Sequence, residues 1–350
     1  MVLNLTTTSL LVLNKIRSKM YKIAFDINGN DNGINSALAA TKLFLKTNKN
    51  YAIILVGPKA EIEKYYGKNM PENLEIIDNS SVPSDVKNIR QSLRENTSMN
   101  VALDLVANKK ADAVLSSGDS GTYLAAATFK VKRLEGISRA AFMPLMPTIT
   151  GRKFLLLDVG ANLETTSDYL VEWTKIANSF DRVLLKNLAP RCALINIGTE
   201  DYKGTELIKE ANNKLKEQHQ LNYIGFQEPR DLLNGVCDVA VIDGYGGNLI
   251  LKSLEGAILS FKNLLTSKIK LKPIRKLGYL LARGAFKDVA ETLDYRNVGA
   301  AWIAGVNGVV IKSHGSSDEK AYYGALNQIK LALDNHILSE VKKDLNINEE

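Results

Sequence analysis

Short apolar runs, each too brief for a helix, recur along the chain with helix-length segments between most of them, and this alternation is the strongest constraint on the fold. The runs are Lys22–Asp26, Ala52–Val56, Glu75–Ile77, Ala113–Leu115, Ala140–Met143, Lys153–Leu157, Ala193–Ile197, Asn222–Gly225 and Val239–Ile242. Near-continuous apolar runs mark strands buried on both faces of a parallel sheet. Ile34–Lys46, Thr165–Phe180 and Gly204–Gln218 have helical length between them. The expectation is an α/β fold: an open, mostly parallel sheet with helices on both faces, Rossmann-like and three-layered. A chain of 350 residues that is 45% hydrophobic and 24% charged has the material for such a core and is not a disordered or fibrous one.

The expected organisation is a weakly ordered extension over residues 1–19, an α/β unit over 20–335, and a helix end and tail over 336–350. The uncharged run Val2–Leu13 is followed, not preceded, by Lys15, Arg17 and Lys19, the reverse of a secretory signal, and no A-x-A site appears. No stretch reaches the ~18 to 20 apolar residues that span a bilayer. Both features suit a cytoplasmic protein. A helical excursion is expected at about 255–293, broken by Pro273, Gly278 and Gly284, with apolar spacing at Phe261, Leu264, Leu265 and Ile269. The chain then returns through Val309–Ile311 and ends in a helix from about Ser317 to Lys343.

Charge is concentrated in the excursion. Between Leu259 and Lys287 lie eight Lys or Arg and no acid, and subtracting those eight from the net +7 leaves −1 for everything else. Local basicity of this kind points to one acidic partner surface, not to a generally basic, nucleic-acid-binding chain.

In an open α/β sheet, ligands sit beyond the carboxyl ends of strands. Five glycine-rich, polar turns are candidates, expected together at one end of one sheet: Asp26–Gly33, Ser116–Gly121, Asp158–Asn162, Asp243–Asn248 and His314–Ser317. Most lead into helical patterns, where free N–H groups meet an anion. A triphosphate P-loop and a dinucleotide G-x-G-x-x-G after the first strand are both absent. Of three histidines, His219 and His336 lie in polar contexts. His314, between a strand and a helix start, is placed to orient phosphate, to take a proton, or simply to cap the last helix. Lys252 shares a helix face with Asn248 and is placed to counter an anion's charge. Asp26 and Asp243 end apolar runs. The two cysteines, Cys192 and Cys237, lie in apolar runs and read as inert core. They exclude a disulfide framework and a cysteine zinc cluster. No G-x-S-x-G elbow is present. The implied chemistry has no protein nucleophile: a bound anion attacks, and the chain positions it and neutralises charge.

At these turns the sequence resembles the PlsX-type phosphate acyltransferase family of bacterial phospholipid synthesis, from Tyr21 to about Leu333. The family's D-x-M-G-G-D is Asp26-Ile-Asn-Gly-Asn-Asp31, and its S-A-G-N-T-G is Ser116-Ser-Gly-Asp-Ser-Gly121. L-D-V-G-A-N is intact at Leu157–Asn162, and N-I-G-T-E-x-x-K-G at Asn196–Gly204. E-G-R-D-L reads Glu228–Leu232, D-G-F-x-G-N reads Asp243–Asn248, and K-A-H-G-S-S reads Lys312–Ser317. Departures are Asn28 for Met, Asn30 for Gly, Asp119 for Asn, Ser120 for Thr and Pro229 for Gly. Asp119 brings a carboxylate toward an anion site unless it bonds a backbone N–H or faces a lysine.

The resemblance implies transfer of a fatty acyl group from acyl-[acyl carrier protein] to inorganic phosphate, without cofactor or metal. It implies catalytic roles for His314, Lys252, Asp243 and Asn248. Phosphate or substrate contacts are implied at Asp26, Gly29, Asp31, Ser117, Gly118, Ser120, Asn162, Lys203, Arg230, Gly244 and Ser316. It also implies a fold like phosphate acetyltransferases and isocitrate-type dehydrogenases, and a homodimer at the inner face of the cell membrane that hands acyl phosphate to a membrane acyltransferase. Lys268, Lys270, Lys272, Arg275 and Lys276 would then meet anionic lipid or the acidic carrier. A short-chain acyl-coenzyme A enzyme, a related oxidoreductase and a non-catalytic scaffold are the competing classes.

Overall fold

The computed structural model describes residues 20–293 and 300–347; the extension expected at 1–19 lies outside them. The strands are β1 (Tyr21–Asp26), β2 (Tyr51–Gly57), β3 (Leu74–Asp78), β4 (Ala113–Ser116), β5 (Ala141–Pro147), β6 (Lys153–Leu157), β7 (Arg191–Ile195), β8 (Asn222–Gln227), β9 (Val239–Val241), β10 (Ala300–Ala304) and β11 (Val309–Ser313). They form one sheet in the order β3-β2-β1-β4-β11-β10-β5-β6-β9-β7-β8. The helices are α1 (Asn35–Thr47), α2 (Lys59–Tyr66), α3 (Ile89–Ser92), α4 (Ser98–Ala107), α5 (Ser120–Lys130), α6 (Ser167–Leu184), α7 (Glu206–Lys216), α8 (Gly244–Lys270), α9 (Pro273–Leu281), α10 (Arg283–Thr292), α11 (Glu319–Asp334) and α12 (Ile337–Asp344). Two apolar layers, one on each face of the sheet, make the core: Ile23, Phe25 and Ile53 face one, Ala24, Ile54 and Val114 the other. That two-sided burial is what the unbroken apolar runs encode.

Register divides the sheet into two halves that run in opposite directions. β1, β2, β3, β4 and β11 are mutually parallel. β10 is antiparallel to both β11 and β5, and β6 is antiparallel to β5. β6, β9, β7 and β8 are parallel to one another. It follows that β6 to β9 run against β1 to β4 and β11. The five turns therefore do not share one end of the sheet, which corrects the sequence expectation. The turns after β1, β4 and β11 leave one end, and those after β6 and β9 leave the other. The reversal enters through β10, whose Ala-Ala-Trp-Ile-Ala was not among the expected strands, and through β5, which runs past its expected end at Met143 to Pro147.

Two further expectations change. Gly278 and Gly284 lie inside α9 and α10 and break neither; the breaks fall before Pro273 and at Ala282. Pro273 opens α9, where a missing N–H costs nothing. The last helix is two helices, since His336 adopts φ 50° between α11 and α12. α12 is not a loose tail: Ile337 and Val341 are buried in the core.

Candidate active site

A single helix face joins the two halves. α8 starts at the carboxyl end of β9, where Asp243 caps it by accepting from the Gly246 N–H at 2.8 Å. Asn248, Leu251, Lys252 and Glu255 follow at i, i+3, i+4 and i+7, one stripe of the helix. That stripe forms one wall of a cavity of about 380 Å³. Its apolar side is lined by Phe142, Leu145 and Met146 of β5 with Val159. Its polar end is lined by Lys312, Ser313, His314 and Ser316 after β11 and by Ser120 at the start of α5. The end turns of oppositely running strands thus meet in one cleft because α8 crosses between them.

Close packing seats α8. A Cβ on Gly247 would lie 1.9 Å from the Asp158 carbonyl oxygen, and one on Gly244 would lie 2.2 Å from the Asn162 carbonyl oxygen. Asp158 holds this join. Its carboxylate accepts from the N–H groups of Phe142 (3.0 Å), Ala161 (3.0 Å) and Asn162 (2.7 Å) and from the Asn162 side chain (3.0 Å). Burial raises its pKa, against the opposing pull of those hydrogen bonds. Asp158, Asn162, Asp243 and Gly244 are therefore the frame under the cleft, and Asn248 and Lys252 are its lining.

The first half supplies the charge. Lys312 is 7% exposed, and desolvation lowers its pKa to about 8, opposed by the carboxylates of Asp119, Asp26 and Asp31. Asp26, fully buried, accepts from the Ser116 hydroxyl at 2.7 Å and the Asn28 N–H at 3.2 Å. Desolvation raises its pKa to about 6. Asp119 caps α5 by accepting from the Thr122 N–H at 2.8 Å. The carboxylate that the family pattern lacks is thus tied to a backbone donor, with Lys312 close enough to be influenced by it. Glycines bring the turns together: Gly29, at φ 73°, leaves a Cβ only 2.9 Å from Gly118 Cα. Asp31 donates its N–H to the Gly315 carbonyl at 2.9 Å. Tyr322 donates to Ser117 Oγ at 2.8 Å and accepts from the Asn30 amide at 2.5 Å.

His314 does not cap α11, the first part of the expected last helix; Asp318 does. Its Nδ1 accepts from the Ser316 N–H at 3.2 Å and lies 2.8 Å from Ser316 Oγ. An accepting Nδ1 leaves the proton of the neutral ring on Nε2. Although the residue as a whole is exposed, its ring lines the cleft. Desolvation, then the charges of Lys252 and Lys312, hold its pKa below 6.5. Near neutral pH it is a neutral N–H donor.

Two expected residues lie elsewhere. Lys203 pairs with Glu200 at 2.8 Å in the turn after β7, and Arg230 with Glu228 at 3.2 Å after β8, on strands beyond β9 at the sheet edge. Neither lines the cleft. Lys312 and Asp158 are structural participants that sequence reading quoted only inside motifs. The available signal was a lysine or an acid closing an otherwise apolar strand. Cys192 and Cys237 are buried, and desolvation pushes their thiols up, to about 12 for Cys237. Neither is near the cleft lining. Among the described residues no group of His, Cys, Asp and Glu has the arrangement of a metal site.

Comparison with known proteins places this geometry. Solved structures with the same fold include a phosphotransacetylase from Streptococcus pyogenes (TM-score 0.58, 17% identity, covering 98% of this chain and 100% of that one). A branched-chain phosphotransacylase from Enterococcus faecalis gives TM-score 0.55 at 16% identity, covering 91% and 100%. A family model described as fatty acid synthesis protein matches residues 21–339. A phosphate acyltransferase of Mycoplasmopsis agalactiae is 68% identical over 329 residues, 93% of this chain and 98% of that protein. One from Mycoplasmopsis pulmonis is 53% identical over 327 residues, 93% and 100%. The chain therefore belongs to the PlsX-type phosphate acyltransferase family and is an acyltransferase that uses phosphate as the acceptor.

Proposed function

We propose that the cleft transfers a fatty acyl group from acyl-[acyl carrier protein] to inorganic phosphate, with the phosphate at its polar end and the acyl chain along its apolar wall. The observation that carries this reading is the continuity of the two surfaces: Lys312, His314 and Ser120 share one cavity with Phe142, Leu145, Met146 and Leu251. A short acyl group would not need that wall.

Lys312 and the first turn of α5 hold the phosphate, through charge and through free N–H groups. A phosphate oxygen attacks the thioester carbonyl carbon, so that a C–O bond forms and the C–S bond breaks. The carbonyl oxygen gains negative charge on the way, and the His314 Nε2–H, the Asn248 amide and the Lys252 ammonium are the donors in the cleft that can meet it. The thiolate leaves with the carrier and takes a proton from the medium. Replacing His314 or Lys252 by Ala lowers turnover by about 10- to 1,000-fold on this scheme.

The product is an acyl phosphate, which a membrane acyltransferase consumes. No described helix is long and apolar enough to cross a membrane. We assign the membrane contact to the tip formed by the end of α8 and by α9, where Leu271, Ile274, Leu277, Leu280 and Leu281 are exposed among Lys268, Lys270, Lys272, Arg275 and Lys276. A homodimer attached peripherally to the inner face of the cell membrane fits this arrangement. The test of the reaction is incubation of purified protein with palmitoyl carrier protein and phosphate, followed by hydroxylamine trapping. Palmitoyl hydroxamate in excess of that formed from the thioester alone, dependent on both enzyme and phosphate, is expected; no such excess, or a phosphate-dependent hydroxamate only from short-chain acyl-coenzyme A, refutes the reading.

A further inference from the structure

A second cavity lies beside the cleft, along α5. A groove of about 760 Å³ runs along α5, walled by Leu124 and Phe129 on one side and by the segment that ends at Arg139 on the other. Its inner end is lined by Gly121, Ala161 and Asn162, the chain neighbours of Ser120 and Gly160 that line the cleft. Its outer end carries Phe129, 69% exposed, and three cations, Lys132, Arg133 and Arg139. α5 rises about 1.5 Å per residue, so Phe129 lies about 14 Å from Ser120. An extended pantetheine arm spans that length.

The cations at the outer end make no ion pair among the described residues. Nearby Lys130 is neutralised by Asp104 at 2.8 Å. Among the described residues, no carboxylate lies within ion-pair reach of Lys132, Arg133 or Arg139, and of the acids close in sequence Glu135 faces solvent. Glu172, which packs against the same turn, accepts from the N–H and hydroxyl of Ser138, both at 2.7 Å. Arg133 donates to the Ser138 carbonyl and so is held at the rim. The basic tip at α9 is badly placed to deliver a thioester: Lys268 stands sixteen residues along α8 from Lys252, about 25 Å from the cleft.

Resting on the reaction proposed above, we infer that this groove is the docking site of the acyl carrier, an acidic protein. Its prosthetic arm lies along α5 between Leu124 and the Ala161–Asn162 turn, and its acidic face rests against Lys132, Arg133 and Arg139. Charge complementarity at the rim and an apolar groove whose inner end adjoins Ser120 and Gly160 of the cleft are the two halves of the argument. The α9 tip is then free to hold the membrane while a carrier exchanges at α5.

The test is the double variant Lys132→Glu/Arg139→Glu, which leaves the Arg133 bond intact, compared with Lys270→Glu/Lys272→Glu/Lys276→Glu. Binding of palmitoyl carrier protein is titrated calorimetrically at low and high salt, and KM values are measured for carrier and for phosphate. The groove variant is expected to weaken carrier binding by at least about 10-fold at low salt, to lose most of its salt dependence, and to keep the KM for phosphate; the tip variant keeps carrier affinity. Unchanged carrier affinity in the groove variant, or an equal loss in both variants, overturns the inference. So does a groove variant that turns a dimer into a monomer in sedimentation, since the groove would then be covered by a second copy. A wild-type protein that makes no acyl phosphate from palmitoyl carrier protein would instead sink the reaction itself.

Discussion

Replacing Asp26 by Asn separates what this carboxyl does for the fold from what it does for the site. The residue is 1% exposed, and desolvation raises its carboxyl from 3.8 to about 6, against hydrogen bonds from Ser116, Ser98 and Asn28 and the Lys312 charge. The folded chain thus holds the proton more tightly than the unfolded chain. Stability from this group is complete below pH 3.8 and falls as pH rises toward 6. Above that, ionised Asp26 costs the fold about 3 kcal/mol, at ~1.4 kcal/mol for each tenfold change in proton affinity. Asn keeps the shape and can still accept from Asn28. It also removes one of the carboxylates that sustain the Lys312 ammonium, so the net gain is smaller, about 1 to 2 kcal/mol at pH 8. Urea unfolding at pH 8 and pH 4 measures it: a gain at pH 8, and close to none at pH 4. Acyl phosphate formation should fall about 10-fold or more in the same variant, the trade expected where a site stores unfavourable burial. A variant less stable than wild type at pH 8, or equally stabilised at both pH values, would refute the reasoning.

Gly247→Ala in a free helix would gain about 1 kcal/mol; here the new Cβ meets the Asp158 carbonyl oxygen at 1.9 Å. It should cost about 2 kcal/mol in urea unfolding and, by shifting α8, abolish most activity. Cys192→Ala and Cys237→Ala should each keep turnover within about 3-fold while losing about 1 to 2 kcal/mol of packing, and mass spectrometry should find no acyl-enzyme at either thiol. Lys270→Glu/Lys272→Glu/Lys276→Glu should weaken flotation with anionic vesicles by about 100-fold, from about 1 kcal/mol per basic residue; equal flotation of both proteins at low salt would remove the tip from the membrane.

Much of the sheet was legible because parallel strands buried on both faces must be apolar throughout. Lys153–Leu157 was read to the residue, and the strands around it to within a few positions. β10 was not legible: Ala-Ala-Trp-Ile-Ala is short and three of its five residues are alanine, which favours strands weakly, and one of its two pairing partners, β5, is distant in sequence. The helical breaks were misplaced for a related reason. A glycine is a poor helix former but not a stop signal, and Gly278 and Gly284 sit in helices whose ends are fixed by Pro273 and by the chain reversal at Ala282. In the site, turn composition singled out loops of which those after β4, β6, β9 and β11 line one cavity. It could not tell Asp158 and Gly244, which hold the frame, from Asn248 and Lys252, which face the cavity. That distinction depends on which side of α8 meets the sheet.

The reversal of strand direction explains why such different turns are needed. In a sheet whose strands all ran one way, a ligand would find helix N-termini and glycine turns at one edge and nothing apolar beside them. Here the two carboxyl ends point apart, and the space between them is the face of β5 that carries Phe142, Pro144 and Met146. α8 spans that face from the β9 end to His314, with Asn248 against Gly160 at its start and Lys252 and Glu255 at the far turn. An anion site and an apolar channel are thereby built from one helix and one strand, with no separate domain for the acyl chain. Position 247 is the point where this arrangement is least tolerant. Only a residue without a side chain lets α8 descend onto Asp158, and Asp158 in turn fixes the start of β5 through the Phe142 N–H. A disturbance there reaches the frame, the channel wall and the charged end together.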